Sequence, residues 1–201
     1  MPGRFAPDAD ADPLDLFKTW FAEAEAAGVP DANAMAVATV GADGTPSVRT
    51  VLLKELDARG FVFYTNYTSQ KGIEIAANPR AALLFHWQPL HRQIRITGAV
   101  TRTSREESAA YFNSRPLGSR VSAAISRQSQ PVDSRETLER RAAELAACVA
   151  DGVVPLPEEW GGYRVSPEII ELWQGRDDRL HDRARFTRLA DGGWRFEILQ
   201  P

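Results

Sequence analysis

Between Ala34 and about Val100 the chain breaks into short runs of β-branched and aromatic residues: Ala34 to Val40, Ser47 to Leu56, Gly60 to Asn66, Ala81 to Trp87 and Arg92 to Arg102. Runs of this length and composition are strands. Ala42-Asp43-Gly44 supplies a turn between the first two, and Asp57 to Gly60 between the next pair. Strands joined by short turns pair antiparallel, so the succession predicts a meander closing into a barrel. Helical texture flanks it, giving an α+β class that is mainly β. Asp12-Pro13 starts an amphipathic helix with Leu14, Phe17, Trp20, Phe21 and Ala24 at helical spacing up to Gly28. A short helix is expected from Ser69 to Ala77, and residues 105–149 turn helical again. There Asp133-Ser134-Arg135-Glu136 reads as a capping box. Trp160-Gly161-Gly162 reads as a loop before two last hairpins, turned at Asp177-Asp178 and Asp191-Gly192-Gly193. Residues 1–11, rich in Pro, Asp and Ala, read as a flexible arm, and 12–201 as a single domain with no internal repeat.

Composition narrows the function. A chain of 201 residues, 43% hydrophobic and 25% charged, can bury a real core. A net charge of -3 and a pI near 5.7 argue against a nucleic-acid partner, so any anionic ligand must be held by locally placed cations. The single cysteine, Cys148, excludes an intrachain disulfide and reads as a small packing residue in a helix. Three histidines (His86, His91, His181) without metal-ligand spacing predict no metal site. Neither a Rossmann glycine fingerprint nor a P-loop is present. No targeting segment or membrane-length apolar window is seen, so no membrane partner and a reducing cytoplasm are the expectation.

Several segments could carry chemistry. Beyond Asp177-Asp178, Arg179, His181 and Arg183 alternate with Leu180 and Asp182, which on a strand puts the three on one face. A charged edge strand would look the same, but Trp173, before the turn, adds a flat wall suited to a planar ring. Arg49-Thr50-Val51-Leu52-Leu53-Lys54 sets two cations on an apolar strand. Five residues apart, they share one pocket only through a bulge, a bend or a subunit boundary. Alternatively Arg49 pairs with a carboxylate and Lys54 snorkels. Tyr64-Thr65 ends a strand, and Ser69-Gln70-Lys71-Gly72 opens a helix where N–H groups, a hydroxyl and an ammonium suit a phosphate, although Ser69 is equally an ordinary N-cap. Gln93, opposite Ile94 and Ile96, is an amide that could read a ring carbonyl and N–H. Tyr111, Arg115 and Ser119 fall at i, i+4 and i+8, interrupted by Pro116, so that they would converge around a corner on a phosphate monoester.

In order along the chain, R-T-V-L-L-K (Arg49 to Lys54), F-Y-T-N-Y (Phe63 to Tyr67), R-Q-I-R-I (Arg92 to Ile96), Y-F-N-S-R-P (Tyr111 to Pro116), R-Q-S (Arg127 to Ser129), W-G-G-Y-R-V (Trp160 to Val165) and W-Q-G-R-D-D-R-L-H-D-R (Trp173 to Arg183) closely resemble the pyridoxamine 5'-phosphate oxidase family. The resemblance runs from Asp12 to the C-terminus. It implies an antiparallel split β-barrel homodimer with FMN at two sites, each lined by both subunits. It assigns FMN to Arg49 through Lys54, Tyr64, Thr65, the Ser69-Gln70-Lys71 helix start, Gln93, Gln128, Ser129, Trp173 and Arg183. Lys54, Tyr111, Arg115 and Ser119 would hold the substrate phosphate, with Arg179, Leu180 and His181 over the substrate ring and Arg179 and His181 as the catalytic pair. The implied reaction oxidises pyridoxine or pyridoxamine 5'-phosphate to pyridoxal 5'-phosphate, dioxygen accepting the electrons and leaving as hydrogen peroxide. A related flavin oxidase of another ring, as in phenazine biosynthesis, and a non-catalytic FMN or pyridoxal-phosphate binding dimer are the alternatives. Gln70, where the family often has Arg, Ala124-Ile125, the Ile198 to Pro201 ending and the arm before Asp12 depart from the family pattern.

Overall fold

The computed structural model describes residues 5–149 and 152–201. Helix α1 (Pro13–Ala26) starts where the Asp12 side chain accepts the Leu14 N–H. Strands β1 (Ala34–Val40), β2 (Pro46–Leu52), β3 (Glu55–Asp57) and β4 (Gly60–Asn66) follow, then α2 (Gln70–Ala77), β5 (Arg80–Trp87) and β6 (Arg92–Arg102). Three helices, α3 (Arg105–Ser114), α4 (Leu117–Ile125) and α5 (Arg135–Cys148), precede β7 (Trp160–Gln174), β8 (Asp182–Arg188) and β9 (Trp194–Ile198). The α+β class is as expected.

The strands form one antiparallel sheet, but not as a simple meander. Its order is β2-β1-β5-β6-β7-β4-β3, with β8 on β7 and β9 on β8. The long strand β7 makes this possible. One of its edges pairs with β4 over Trp160–Val165 and with β8 over Ile169–Gln174, while the other runs along β6. The change falls at Pro167, which has no N–H to give a ladder, where the β6 register shifts between Thr97 and Gly98. A Cβ at Gly98 would lie 1.9 Å from the Ser166 carbonyl oxygen, so the close approach there requires glycine.

The expected strand Ser47 to Leu56 is in fact two. The Leu53 N–H donates to Asn33 O at 2.8 Å, extending the β1 pairing, and the next N–H, of Lys54, donates to Val62 O on β4 at 2.9 Å. The chain thus crosses from one end of the sheet to the other within two residues and curls it into a split barrel. Trp160-Gly161-Gly162, expected in a loop, opens β7, because its pairing with Thr65 and Asn66 is long-range and leaves no local turn signal. The capping box lies at Ser104 and Glu107, not at Asp133 to Glu136. There Ser134 is the N-cap, accepting from Thr137 N–H, and a threonine at the third helical position cannot reciprocate. Cys148 is exposed, so it is not the packing residue expected.

The barrel core is sealed by α1. Phe17 meets Phe61 and Phe85 edge-on, each at 4.9 Å between ring centroids, and Trp87 sends its indole N–H to Ala32 O at 2.9 Å. Each fully buried aromatic of this kind contributes roughly 1.5–3 kcal/mol. Phe5 packs on Trp20 and its N–H donates to the Asp182 carboxylate at 3.0 Å, holding the segment before α1 beside β8. A second core under α3 to α5 centres on Phe112, Val121 and Trp160. Among the described residues, no helix is long and apolar enough to cross a membrane, and no group of three or more His, Cys, Asp or Glu could hold a metal ion.

Candidate functional site

A cavity of about 910 Å³ opens between β2, the end of β4, the start of α2 and the α3–α4 corner. It gathers Arg49, Thr50, Val51, Leu52 and Lys54 from the first motif, Tyr64, Thr65, Gln70 and Lys71 from the second, and Tyr111, Arg115, Ser119, Gln128 and Ser129 from the helices and the loop after them. Arg49 and Lys54 reach it together because the strand ends at Leu52 and changes partner, which cancels the two-residue alternation. Leu53 instead turns into the barrel core, 7% exposed. Pro116 caps α4 after α3 ends at Ser114, so Tyr111, Arg115 and Ser119 meet around the bend.

At the start of α2, Ser69 caps the helix and Lys71 is buried, only 6% exposed. Its ammonium donates to Thr65 Oγ1 and Ser69 Oγ at 3.0 Å and to Gln128 Oε1 at 2.8 Å. All three acceptors are neutral. Burial, with help from the nearby Arg49 charge and against the pull of Glu74, lowers the Lys71 pKa to about 8. An ammonium so placed is an incomplete ion pair that an anion would complete.

Arg49 is different, because it is already paired. Its guanidinium donates to Thr39 Oγ1 and Ser47 Oγ at 2.5 Å, to Val37 O at 3.2 Å and to Glu74 Oε2 at 3.1 Å. Burial opposes ionisation of Glu74, but the donors Ser47, Thr39, Gln70 and Arg49 outweigh it and hold the carboxyl down at about 2.

The α3 side of the cavity is aromatic. Tyr64 and Tyr111 stack at 4.1 Å, and Trp160 lies nearly parallel to Tyr111 at 8°. Arg115 sits 5.0 Å above the Trp160 ring. Among the described residues its buried Nη1 has no hydrogen-bond partner, and desolvation lowers its pKa. A buried donor with no acceptor is costly, and a phosphate oxygen would satisfy it. The Tyr64 hydroxyl donates to Glu55 at 2.7 Å, and burial first, then this carboxylate, pushes its pKa up.

The remaining candidates form a second group. Gln93, Trp173 and Arg183 lie in register across β6, β7 and β8, one directly beside the next. Arg183 donates through Nε and Nη2 to Glu171 Oε1 at 2.9 and 2.8 Å. Arg179, Leu180 and His181 are not on the strand with Arg183, as the alternation suggested, because the turn runs on to His181. Arg179 has φ 63 and Leu180 N–H bonds the Asp178 side chain. His181 nevertheless comes to Trp173, with ring centroids 4.7 Å apart, and its Nδ1 accepts the Arg176 N–H at 3.0 Å. None of this group lines the large cavity, so within one chain the candidates fall into two separate groups.

Sequence reasoning passed over Glu74, Glu171 and Trp160. Each has a faint signal: Glu74 is the acid one turn after Gln70, Glu171 alternates with Trp173, and Trp160 opens the W-G-G-Y-R-V run, whose glycines read as a loop.

Residues 21–148 match the family described as pyridoxamine 5'-phosphate oxidase, and residues 160–201 match the pyridoxine 5'-phosphate oxidase C-terminal dimerisation region. The pyridoxine/pyridoxamine 5'-phosphate oxidases of Bordetella petrii and Rubrobacter xylanophilus are each 58% identical over 193 residues, covering 96% of this chain and 91% and 88% of theirs. Among solved structures, PhzG from Burkholderia lata 383, in complex with tetrahydrophenazine-1-carboxylic acid, superposes with a TM-score of 0.91 at 34% identity, covering 97% of this chain and 94% of that one. An FMN-binding protein of Nostoc punctiforme shares the fold, with a TM-score of 0.78 at 17% identity. By its motifs, its split barrel and these matches, the chain belongs to the pyridoxine/pyridoxamine 5'-phosphate oxidase family.

Proposed function

We propose that the chain is an FMN-dependent oxidase that converts pyridoxamine or pyridoxine 5'-phosphate to pyridoxal 5'-phosphate as a homodimer, with 12–201 as the FMN-binding unit. The observation that carries this is one cavity with two cations drawn out of solvent and given no carboxylate among the described residues, Lys71 at the start of α2 and Arg115 at the α3–α4 corner. Two anion positions suit two phosphates, one on the cofactor and one on the substrate. FMN, when bound, supplies the hydride acceptor, and dioxygen restores it with release of hydrogen peroxide. Lys71, Thr65, Gln128 and Ser129 would hold its phosphate end, while Lys54, Tyr111, Arg115 and Ser119 anchor the substrate phosphate. Gln93, Trp173 and Arg183, with the Arg179-Leu180-His181 turn, would come from the second subunit and close the ring end of the site. The match of residues 160–201 to a dimerisation region supports that arrangement.

Once a phosphate is anchored, the chain's task is orientation, which converts an encounter into a near-unimolecular step. The alcohol or amine carbon gives up a hydride and its heteroatom a proton; with the amine, water then releases ammonia. Relatives at 58% identity support the B6 substrate over the phenazine type, whose structure is 34% identical. Anaerobic mixing with pyridoxine or pyridoxamine 5'-phosphate should bleach bound flavin, and peroxide should form on admitting air. Flavin that stays oxidised with both vitamers would sink the reading.

A further inference from the structure

We propose that Glu74 is a positioning residue for the phosphate end of the flavin site, seating the Arg49 guanidinium and the Gln70 amide from behind. The proposal rests on the flavin reading of the cavity. Arg49, Gln70 and Lys71 line the cavity, and Glu74 does not. Glu74 lies one helical turn after Gln70, 8% exposed. Its Oε1 accepts the Gln70 amide at 3.0 Å, and its Oε2 accepts Arg49 at 3.1 Å, Ser47 Oγ at 2.6 Å and the Thr39 hydroxyl. One carboxylate therefore ties α2 to β1 and β2 and holds two cavity-lining donors at once.

Two consequences separate this from plain packing. Arg49 is a long side chain with much rotamer freedom, and because both its terminal nitrogens donate within the protein, what it brings to the cavity wall is a charge already fixed in place. Glu74 also balances the Arg49 charge, while the Lys71 ammonium beside it donates to neutral acceptors and, among the described residues, to no carboxylate. Position 70 fits the same logic. An amide donates to Oε1 without competing as a charge for Glu74, whereas a second guanidinium would divide the carboxylate between two cations.

The test titrates FMN and riboflavin, which lacks the phosphate, into flavin-stripped wild type, Glu74→Gln and Glu74→Ala, following flavin fluorescence, with thermal melts alongside. Glu74→Ala should weaken FMN by about tenfold or more and riboflavin by less than about twofold, a difference of about fivefold or more between the two Kd ratios. Glu74→Gln keeps an acceptor for Arg49 and should lie between, near threefold on the same scale. If Glu74→Ala fails to fold, the Gln variant decides. Equal loss of both flavins would make Glu74 merely structural, and unchanged or tighter FMN would make it a repelling charge; either overturns the proposal. Failure of the unaltered protein to bind FMN would bring down the flavin reading, and this with it, a result distinct from the other two.

Discussion

Replacing Lys71 with methionine should push stability and cofactor affinity in opposite directions. The folded protein lowers the Lys71 pKa from 10.5 to about 8, chiefly by burial. At about 1.36 kcal/mol per pKa unit, holding this ammonium costs the flavin-free protein roughly 3 kcal/mol at neutral pH. The unfolded chain binds the extra proton between pH 8 and 10.5, so wild-type stability should rise with pH across that window, while below it the full cost remains. Methionine removes the charge and fills similar space. Three hydrogen bonds to neutral acceptors are lost, but Thr65 still donates to Gln128 and Ser69 to Asn66 O, so neither hydroxyl is stranded. Allowing about 1–2 kcal/mol for the lost bonds, flavin-free Lys71→Met should gain about 1–2 kcal/mol at pH 7, raising Tm by roughly 2–8 °C. Loss of one charge-assisted contact to phosphate, about 1.5–3 kcal/mol, should weaken FMN by about 10- to 150-fold. Denaturation of flavin-free protein at pH 7 and 10, with a fluorescence titration of FMN, reads both. A destabilised variant at pH 7, or an FMN affinity within about threefold of wild type, would refute the argument.

Arg115→Ala should raise KM for a phosphorylated substrate by about 10- to 150-fold with kcat nearly kept, because its buried Nη1 has no partner to lose among the described residues; steady-state kinetics would show a kcat loss instead if the residue acted in the chemical step. Gly98→Ala would drive a Cβ to 1.9 Å from the Ser166 carbonyl oxygen and force β6 from β7, lowering Tm by roughly 4–12 °C for a cost of about 2–3 kcal/mol. Glu171→Gln leaves Arg183 and Arg95 without their carboxylate, and a thermal melt should show about 1–3 kcal/mol of lost stability.

Local signals carried well. The bounds of β1, β4 and β6 coincide with hydrophobic runs ended by turn residues, and α1 with its Asp12-Pro13 start. What failed was non-local. Nothing near Trp160 announces that it will pair with Asn66, and nothing in R-T-V-L-L-K says that Lys54 bonds β4 while Leu53 still follows β1. The site divides in the same way. Lys71 and Arg115 were readable as cations at a helix start and a helix corner, whereas the pairing of Arg49 with Glu74 and of Arg183 with Glu171 depends on partners brought in by the sheet. Alternation misplaced Arg179 and His181 because it assumes a strand, and the Arg179 backbone is left-handed there.

The two adjacent amides of Leu53 and Lys54 form a seam with no slack. A slip of one residue would exchange their side chains, setting an ammonium in the barrel core that Leu53 joins and a leucine on the cavity wall. The two hydrogen bonds that join the ends of the sheet are therefore the same two that set Lys54 on the cavity wall, so closure of the barrel and placement of that ammonium are one structural event.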